Sequence, residues 1–270
     1  MVEILKAVLL GIVQGITEWL PISSTGHMIL VHEFIKLNFS KLFVNTFLVV
    51  IQFGSIIAVV TLYFNKLNPF SINKSLIEKK ETVSLWIKVI IAIIPSGVVG
   101  IIFHDKINEL FYNPITVALA LIVYGLIMIY IENGNRKAKT KDFNSLSYEL
   151  AFAIGVFQCL ALIPGTSRSG STIIGAILFG ASRIVATEFS FFMAIPTMLG
   201  ATAFKLLKAG LVFSGFEWTV LLVGSLVAYI VSVLAIKFLI DYLKKHDFKA
   251  FGYYRIILGF IVLTYFYIII

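Results

Sequence analysis

The sequence predicts an all-α integral membrane protein of about six transmembrane helices plus two re-entrant helical hairpins, arranged as an inverted-topology repeat. Three observations carry this. Of 270 residues, 59% are hydrophobic and 13% charged, and the mean hydropathy is +0.98, whereas soluble domains are about half apolar and a quarter charged. The apolar residues gather into stretches of membrane-crossing length. Two polar stretches, Glu18-Trp-Leu-Pro21-Ile-Ser23-Ser24-Thr25-Gly26-His27 and Pro164-Gly165-Thr166-Ser167-Arg168-Ser169-Gly170-Ser171-Thr172, interrupt otherwise apolar sequence. Facing lipid, each would leave hydroxyls, charges and backbone amides unpaired, so each has to be buried in protein or line a wet cavity.

In chain order, residues 4–16 and 28–37 are apolar and bracket the first polar stretch. Both are too short to cross, since a crossing takes about 20 residues. Residues 42–64, 86–103 and 115–131 follow as three spans, and a basic segment, 132–147, joins the halves. Residues 148–163 and 173–179 are again short and bracket the second polar stretch, and 184–207, 218–239 and 253–270 complete the chain as three more spans. Each short pair reads as a hairpin whose chain leaves on the side it entered. The whole is a single membrane domain, 1–270, in two halves of about 1–131 and 148–270. Gly11-Ile-Val-Gln14 is echoed by Gly155-Val-Phe-Gln158, and Pro21 to Gly26 by Pro164 to Gly170, with one residue inserted between the two blocks. A hairpin plus three spans crosses an odd number of times, so the second half enters from the opposite face. Repeats of this kind place a site near the midplane where they meet.

The net charge of +8 does not point to nucleic acid, because the cations lie in short loops between apolar spans. Lys66, Lys74, Lys79 and Lys80 follow the first span, Arg136, Lys137, Lys139 and Lys141 the third, and Lys244, Lys245 and Lys249 the fifth. These loops share one side, and excess Lys and Arg marks the cytoplasmic side, which leaves both termini external. Lys6 before an apolar run has the outline of a signal peptide, but no small-residue cleavage site precedes Glu18, so the segment is expected to be retained. The lone Cys159 excludes an internal disulfide and a cysteine-based metal cluster.

Gln14 and Glu18 are four apart and share a helix face that leads into the first loop. A carboxylate at membrane depth costs about 2.5 to 3.5 kcal/mol unless paired, metal-bound or wet. Glu18 is therefore read as a metal ligand and catalytic group, with a structural pairing to Arg168 as the alternative. Gln14 either coordinates the metal through its amide oxygen or ties two helices together. Ser23, Ser24, Thr25 and Gly26 lie where Pro21 ends one helix and the next begins near Gly26, and hydroxyls and amides at a helix N-terminus suit an anion. For Ser23 and Thr25 a plain N-cap is an equal reading. His27, three residues after Ser24, is in reach of that hydroxyl; its Ser-Thr-Gly surroundings favour function over a core histidine. Arg168, in a Gly- and Ser-rich break, needs an anion, and bidentate phosphate recognition suits it, with Ser167, Ser169 and Thr172 completing the cradle. Arg183 and Glu188 read as a helix-end pair outside the site.

Two motifs carry a resemblance. Gln14-Gly-Ile-Thr-Glu18-Trp-Leu-Pro21-Ile-Ser-Ser-Thr-Gly-His27 and Pro164-Gly-Thr-Ser-Arg168-Ser-Gly-Ser-Thr172 resemble the paired motifs of the undecaprenyl-diphosphatase family, also called bacitracin-resistance proteins. The resemblance covers essentially the whole chain. It implies hydrolysis of the C55 isoprenyl diphosphate to its monophosphate and phosphate in a bacterial plasma membrane, with a divalent cation, Mg²⁺ or Ca²⁺, assisting. It places functional roles on Glu18, Ser24, His27, Ser167, Arg168 and Thr172. Gln14 stands where many members have Glu, so a metal site here has one carboxylate rather than two. The residues leave the attacking group open, in the order Ser24 activated by His27, His27 itself, or a water oriented by Glu18 and His27. A lipid-phosphate flippase or anion carrier is the rival reading, because secondary transporters share the outline of broken helices in inverted repeats. A homo-oligomer stays open as a partner, alongside the polyprenyl diphosphate and the bilayer.

Overall fold

The computed structural model describes residues 1–134, 137–210 and 212–269. Arg136, part of the basic connecting segment, and Ile270, the expected end of the last span, lie outside them. Among these described residues eleven α-helices run in order: α1 Val2–Thr17, α2 Ser24–Phe34, α3 Lys41–Leu62, α4 Phe64–Leu67, α5 Leu76–Phe111, α6 Pro114–Asn133, α7 Tyr148–Gln158, α8 Arg168–Leu178, α9 Arg183–Ala209, α10 Gly215–Leu243 and α11 Lys249–Thr264. A 3₁₀ turn, Cys159–Leu162, extends α7, and a π turn, Tyr265–Ile269, extends α11. No strand forms among the described residues; Thr140 and Ala181 make an isolated bridge.

Among the described residues, six helical segments are long and apolar enough to cross a membrane: Lys41–Leu62, Leu76–Phe103, Pro114–Asn133, Arg183–Ala209, Gly215–Leu243 and Lys249–Tyr267. They are the six expected spans, so the chain is a multi-pass membrane protein. The largest boundary difference is at α5, expected to start near residue 86, which continues back to Leu76. The sequence Glu78-Lys-Lys-Glu81 is polar but made of strong helix formers, so hydropathy ends before the helix does.

The remaining helices are short. At 1.5 Å per residue, α1, with 16 residues, reaches about 24 Å, and α2 and α8, with 11 each, about 17 Å. The end of α2 returns to the start of α1, where Lys6 donates to the Lys36 carbonyl and Glu3 accepts from the Asn38 amide. The end of α8 likewise returns to the segment before α7: Lys139 and Thr140 donate to the Gly180 carbonyl and Ser182 donates to that of Thr140.

Helix packing is matched between the halves. α1 lies on α10 as α7 lies on α5, while α3 packs on α9 and α6 on α11. Close approach depends on glycine in both cases. A Cβ on Gly11 would meet the Gly224 carbonyl oxygen at 2.6 Å, and one on Gly155 would meet that of Ala92 at 2.2 Å. The main core is formed by residues such as Trp19, Val89, Ile154, Phe189, Phe191, Phe192 and Leu239, around the starts of α2 and α8.

These contacts give a packing test. Gly155→Ala should destabilise the protein by about 1–3 kcal/mol through overpacking against α5, whereas Gly97→Ala, where a new Cβ meets nothing within 4 Å, should be neutral or stabilising. Thermal unfolding in detergent reads both. Equal melting temperatures for the two variants would contradict the α5–α7 contact.

Candidate functional site

Both polar stretches turn into helix starts earlier than expected. The sequence placed the second apolar segments at 28–37 and 173–179, but α2 begins at Ser24 and α8 at Arg168. The reason is the N-cap. The Ser23 hydroxyl accepts from the Gly26 amide and the Ser167 hydroxyl from the Gly170 amide, which satisfies orphan donors of the first turn. Ser23 and Ser167 are the non-glycine residues with positive φ among those described, at 72° and 73°, a sparsely populated region whose cost is about 1–3 kcal/mol each. Ser24, Thr25, Gly26 and His27 thus occupy the first turn of α2, and Arg168, Ser169, Gly170, Ser171 and Thr172 the first turns of α8.

The caps also correct the register of the internal match. Residues 11 and 155, 14 and 158, 23 and 167, and 26 and 170 are all separated by the same 144 positions. No residue is inserted between the blocks; only the prolines are displaced by one.

The two helix starts meet through charge. Arg168 Nη2 lies 3.1 Å from Glu18 Oε1, with the two side chains 14% and 8% exposed. The other guanidinium nitrogen donates to the Ser190 carbonyl at 2.8 Å. Trp19 lies under the guanidinium, 5.7 Å from its carbon, and is itself held edge-on by Phe191. Gln14 donates through Nε2 to Glu18 Oε2 at 2.9 Å, so each carboxylate oxygen has one donor. The Thr172 hydroxyl lies 2.8 Å from the Ser190 hydroxyl and 2.9 Å from the Arg168 carbonyl oxygen, and the Ser169 hydroxyl lies 3.5 Å from the Glu18 carbonyl. Thr172 and Ser169 are buried behind Arg168, while Ser24, Thr25, His27, Ser167 and Arg168 are partly accessible.

The structure does not join His27 to Ser24. Its Nδ1 is 2.7 Å from the Ser23 carbonyl oxygen and its Nε2 is 2.6 Å from the Tyr254 hydroxyl. Arg183 and Glu188 do not pair with each other either. Arg183 binds Glu132 and Glu188 binds Lys66, both at the end of the bundle that carries the connecting segment.

Sequence reasoning missed Ser190, Tyr254 and Arg255. Arg255, on α11, is 0% exposed. It donates to the Pro21 carbonyl at 3.2 Å, to that of Gly165 at 3.0 Å and to that of Thr166 at 2.8 Å, so one guanidinium holds both interrupted segments. Its face covers the Tyr124 ring, 5.9 Å from the centroid. The available signal was a charge inside an apolar span, which is expensive in a membrane and seldom idle; a position two residues from the expected start of that span disguised it.

An adjoining cavity of about 560 Å³ begins at Thr25, runs between apolar residues including Met28, Val44 and Leu48, and ends beside Lys36 and Lys41.

Six spans enclosing two capped helix starts, a buried carboxylate–guanidinium pair and a rank of hydroxyls define a polytopic membrane protein with an internal site suited to an anion. The chain belongs to the family described as Bacitracin resistance protein BacA, which matches residues 7–261. It is 68% identical over 269 residues to Undecaprenyl-diphosphatase 1 of Clostridioides difficile (strain 630), covering 100% of this chain and 98% of that one. It is 59% identical over 268 residues to the undecaprenyl-diphosphatase of Acetivibrio thermocellus, covering 98% of each. Against the undecaprenyl-diphosphatase of Enterococcus faecalis it is 58% identical over 266 residues, covering 97% of this chain and 96% of that one.

The Arg255 fork makes a stability prediction. Arg255→Lys keeps the charge but cannot reach three carbonyls on two segments with a fixed fork. Unpairing two or three buried carbonyls should destabilise by about 2–5 kcal/mol, read by thermal unfolding in detergent. A melting temperature equal to wild type would show that Arg255 does not hold the two segments.

Proposed function

We propose that this chain hydrolyses undecaprenyl diphosphate to undecaprenyl phosphate and inorganic phosphate, recycling a lipid carrier of cell-wall synthesis, with Glu18, Ser24, His27 and Arg168 as its catalytic residues. The observation that carries the reading is the Glu18–Arg168 pair set between two Ser-capped helix starts, in a chain that shares most of its sequence with proteins named for this reaction.

The substrate's lipid chain stays in apolar surroundings while its diphosphate enters the site, and the cavity that begins at Thr25 suits that division. Arg168 exchanges Glu18 for phosphoryl oxygens, which its planar fork can bind bidentately. Thr25 and Ser167 add donors at the two helix starts, Ser23 and Gly26 close the first of them through their cap, Ser169 packs behind Arg168 near the Glu18 carbonyl, and Thr172 holds Ser190 and thereby Arg168. Charge neutralisation and positioning are most of what phosphoryl transfer needs. Ser24 stands first as the attacking group, ahead of His27 and of a water. The Ser23 carbonyl accepts a hydrogen bond from His27 Nδ1–H, so Nε2 is the nitrogen that accepts a proton or attacks.

A divalent cation fits in one form. No cluster of three or more His, Cys, Asp or Glu exists among the described residues, so Mg²⁺ or Ca²⁺ held here would draw part of its oxygen shell from the substrate. Glu18, once Arg168 moves to the phosphoryl oxygens, and Gln14, with its amide turned to present oxygen instead of the nitrogen now on Glu18, would hold an ion whose other ligands come from diphosphate and water. Bound there, the ion would supply charge neutralisation at the phosphoryl oxygens.

The architecture we propose is two re-entrant hairpins, α1–α2 and α7–α8, in an inverted repeat of halves 1–131 and 148–270 within one domain. Supporting it are the short lengths of these helices, the return of each pair to its point of entry, the matched packing and the shared spacing of caps and glycines. The basic residues around α4, the connecting segment and the α10–α11 turn favour that end as cytoplasmic in a bacterial plasma membrane, with both termini external. A homo-oligomer is compatible with this arrangement.

A flippase or anion carrier needs the phosphate binders but not Glu18, Ser24 and His27, so turnover separates the readings. Purified protein should release phosphate from C55 diphosphate, lose most of that activity in EDTA and regain it with Mg²⁺. Glu18→Gln should still bind the lipid yet turn over at least about 100-fold more slowly. Arg168→Lys should recover little of the activity lost in Arg168→Ala. Near wild-type phosphate release by Glu18→Gln would sink the catalytic assignment. For orientation, single cysteines at the termini should react with an impermeant reagent in intact cells, and one at Asn144 should not; the reverse pattern would invert the topology.

A further inference from the structure

The hydrogen bonds of His27 specify its protonation. A carbonyl oxygen only accepts, so the 2.7 Å contact with Ser23 places the proton on Nδ1. Nε2 then carries the lone pair, and the Tyr254 hydroxyl, 2.6 Å away, donates to it. The two rings lie nearly parallel, with planes 7° apart and centroids 5.5 Å apart. Both anchors are fixed by structure already described. Ser23 is the strained N-cap of α2. Tyr254 precedes Arg255, whose guanidinium is bound to the Pro21, Gly165 and Thr166 carbonyls. Consecutive residues of α11 therefore hold the two interrupted segments and the imidazole. Tyr254 is also 43% exposed, so its hydroxyl is at an open edge of the site, where an incoming oxygen can compete for Nε2.

We propose that Tyr254 is a positioning residue of this site, holding His27 as a neutral imidazole with its proton on Nδ1 and its Nε2 lone pair directed to the accessible side. The proposal rests on the hydrolysis reading above. When the diphosphate enters, Nε2 exchanges the Tyr254 hydroxyl for the attacking hydroxyl, of Ser24 or water. The attacking oxygen bonds the terminal phosphorus, its proton passes to Nε2, and the bridging P–O bond breaks to release the prenyl monophosphate; where that oxygen is Ser24 Oγ, Nε2 gives its proton to the departing monophosphate, takes one from a water that attacks the phosphoserine, and returns it to Oγ as the Oγ–P bond breaks and inorganic phosphate leaves. Tyr254 is then free to donate to a phosphate oxygen.

α2 packs against α1, α6 and α11. The ionisable groups these bring towards its start are Glu18, paired with Arg168, Tyr124, under Arg255, and Tyr254 and Arg255 themselves.

Tyr254→Phe keeps the ring and removes the donor. In the purified enzyme kcat should fall about tenfold with KM changed less than about threefold. The acid limb of kcat/KM should move to higher pH, because a hydrogen bond donated to the neutral ring opposes its protonation and the variant lacks it. Nitrogen-15 NMR of histidine-labelled protein in micelles, with His27→Asn for assignment, reads the ring directly and independently of turnover. The expected wild-type result is the Nδ1–H tautomer, with a titration midpoint that rises in Tyr254→Phe. A wild-type proton on Nε2, or an unchanged acid limb and midpoint in the variant, would overturn the proposal. A wild-type protein with the expected tautomer but no phosphate release would overturn the hydrolysis reading instead.

Discussion

Two helices of this protein begin inside the bundle, and their first amides, with the carbonyls just before them, have to be paired there, because hydrocarbon offers no water to pair them. The pairing is done by few groups. Ser23 and Ser167 close their own helix starts, and Arg255 takes three carbonyls from the two segments that lead into them. The terminal nitrogens of Arg255 meet neutral carbonyls and its Nε has no partner, so none of these contacts supplies a carboxylate to its charge. Arg168, by contrast, is held by Glu18. The region therefore carries two guanidinium groups and one carboxylate, an excess of positive charge that a diphosphate is suited to neutralise.

That constraint connects the fold to the chemistry. The glycines that let α1 lie on α10 and α7 on α5 bring the two interrupted segments to one place, and the Ser caps close the first turns of α2 and α8 through the Gly26 and Gly170 amides. In the proposed repeat the equivalent positions then carry different chemistry. Residue 18 is Glu where residue 162 is Leu, residue 24 is Ser where 168 is Arg, and residue 27 is His where 171 is Ser. In that proposal the shared positions form the frame, and the differing ones divide it into an acid–base side and a phosphate-binding side.

The six spans were legible because span length and composition are local properties, and so were the two motifs, because polar residues in apolar sequence are conspicuous. Helix starts were less so. A hydropathy profile assigns Ser24 to His27 and Arg168 to Thr172 to loops, whereas an N-cap three residues before a glycine makes them helical. The internal register followed the conspicuous prolines instead of the caps that define the backbone. The contacts that finish the site were illegible for another reason. Tyr254 is 227 positions from His27, Arg255 is 234 from Pro21, and neither belongs to a motif. Spacing alone suggested a His27–Ser24 contact, and packing against α11 replaced it with Ser23 and Tyr254.

The measurement that bears most directly on this account is an experimental structure of the protein bound to a non-hydrolysable, methylene-bridged prenyl diphosphate. The diphosphate should lie between the first turns of α2 and α8, with Arg168 moved from Glu18 onto phosphoryl oxygens and the prenyl chain in the cavity that begins at Thr25. A headgroup bound elsewhere, for example beside Arg183 and Lys244 at the far end of the bundle, with the Glu18–Arg168 pair intact, would contradict it.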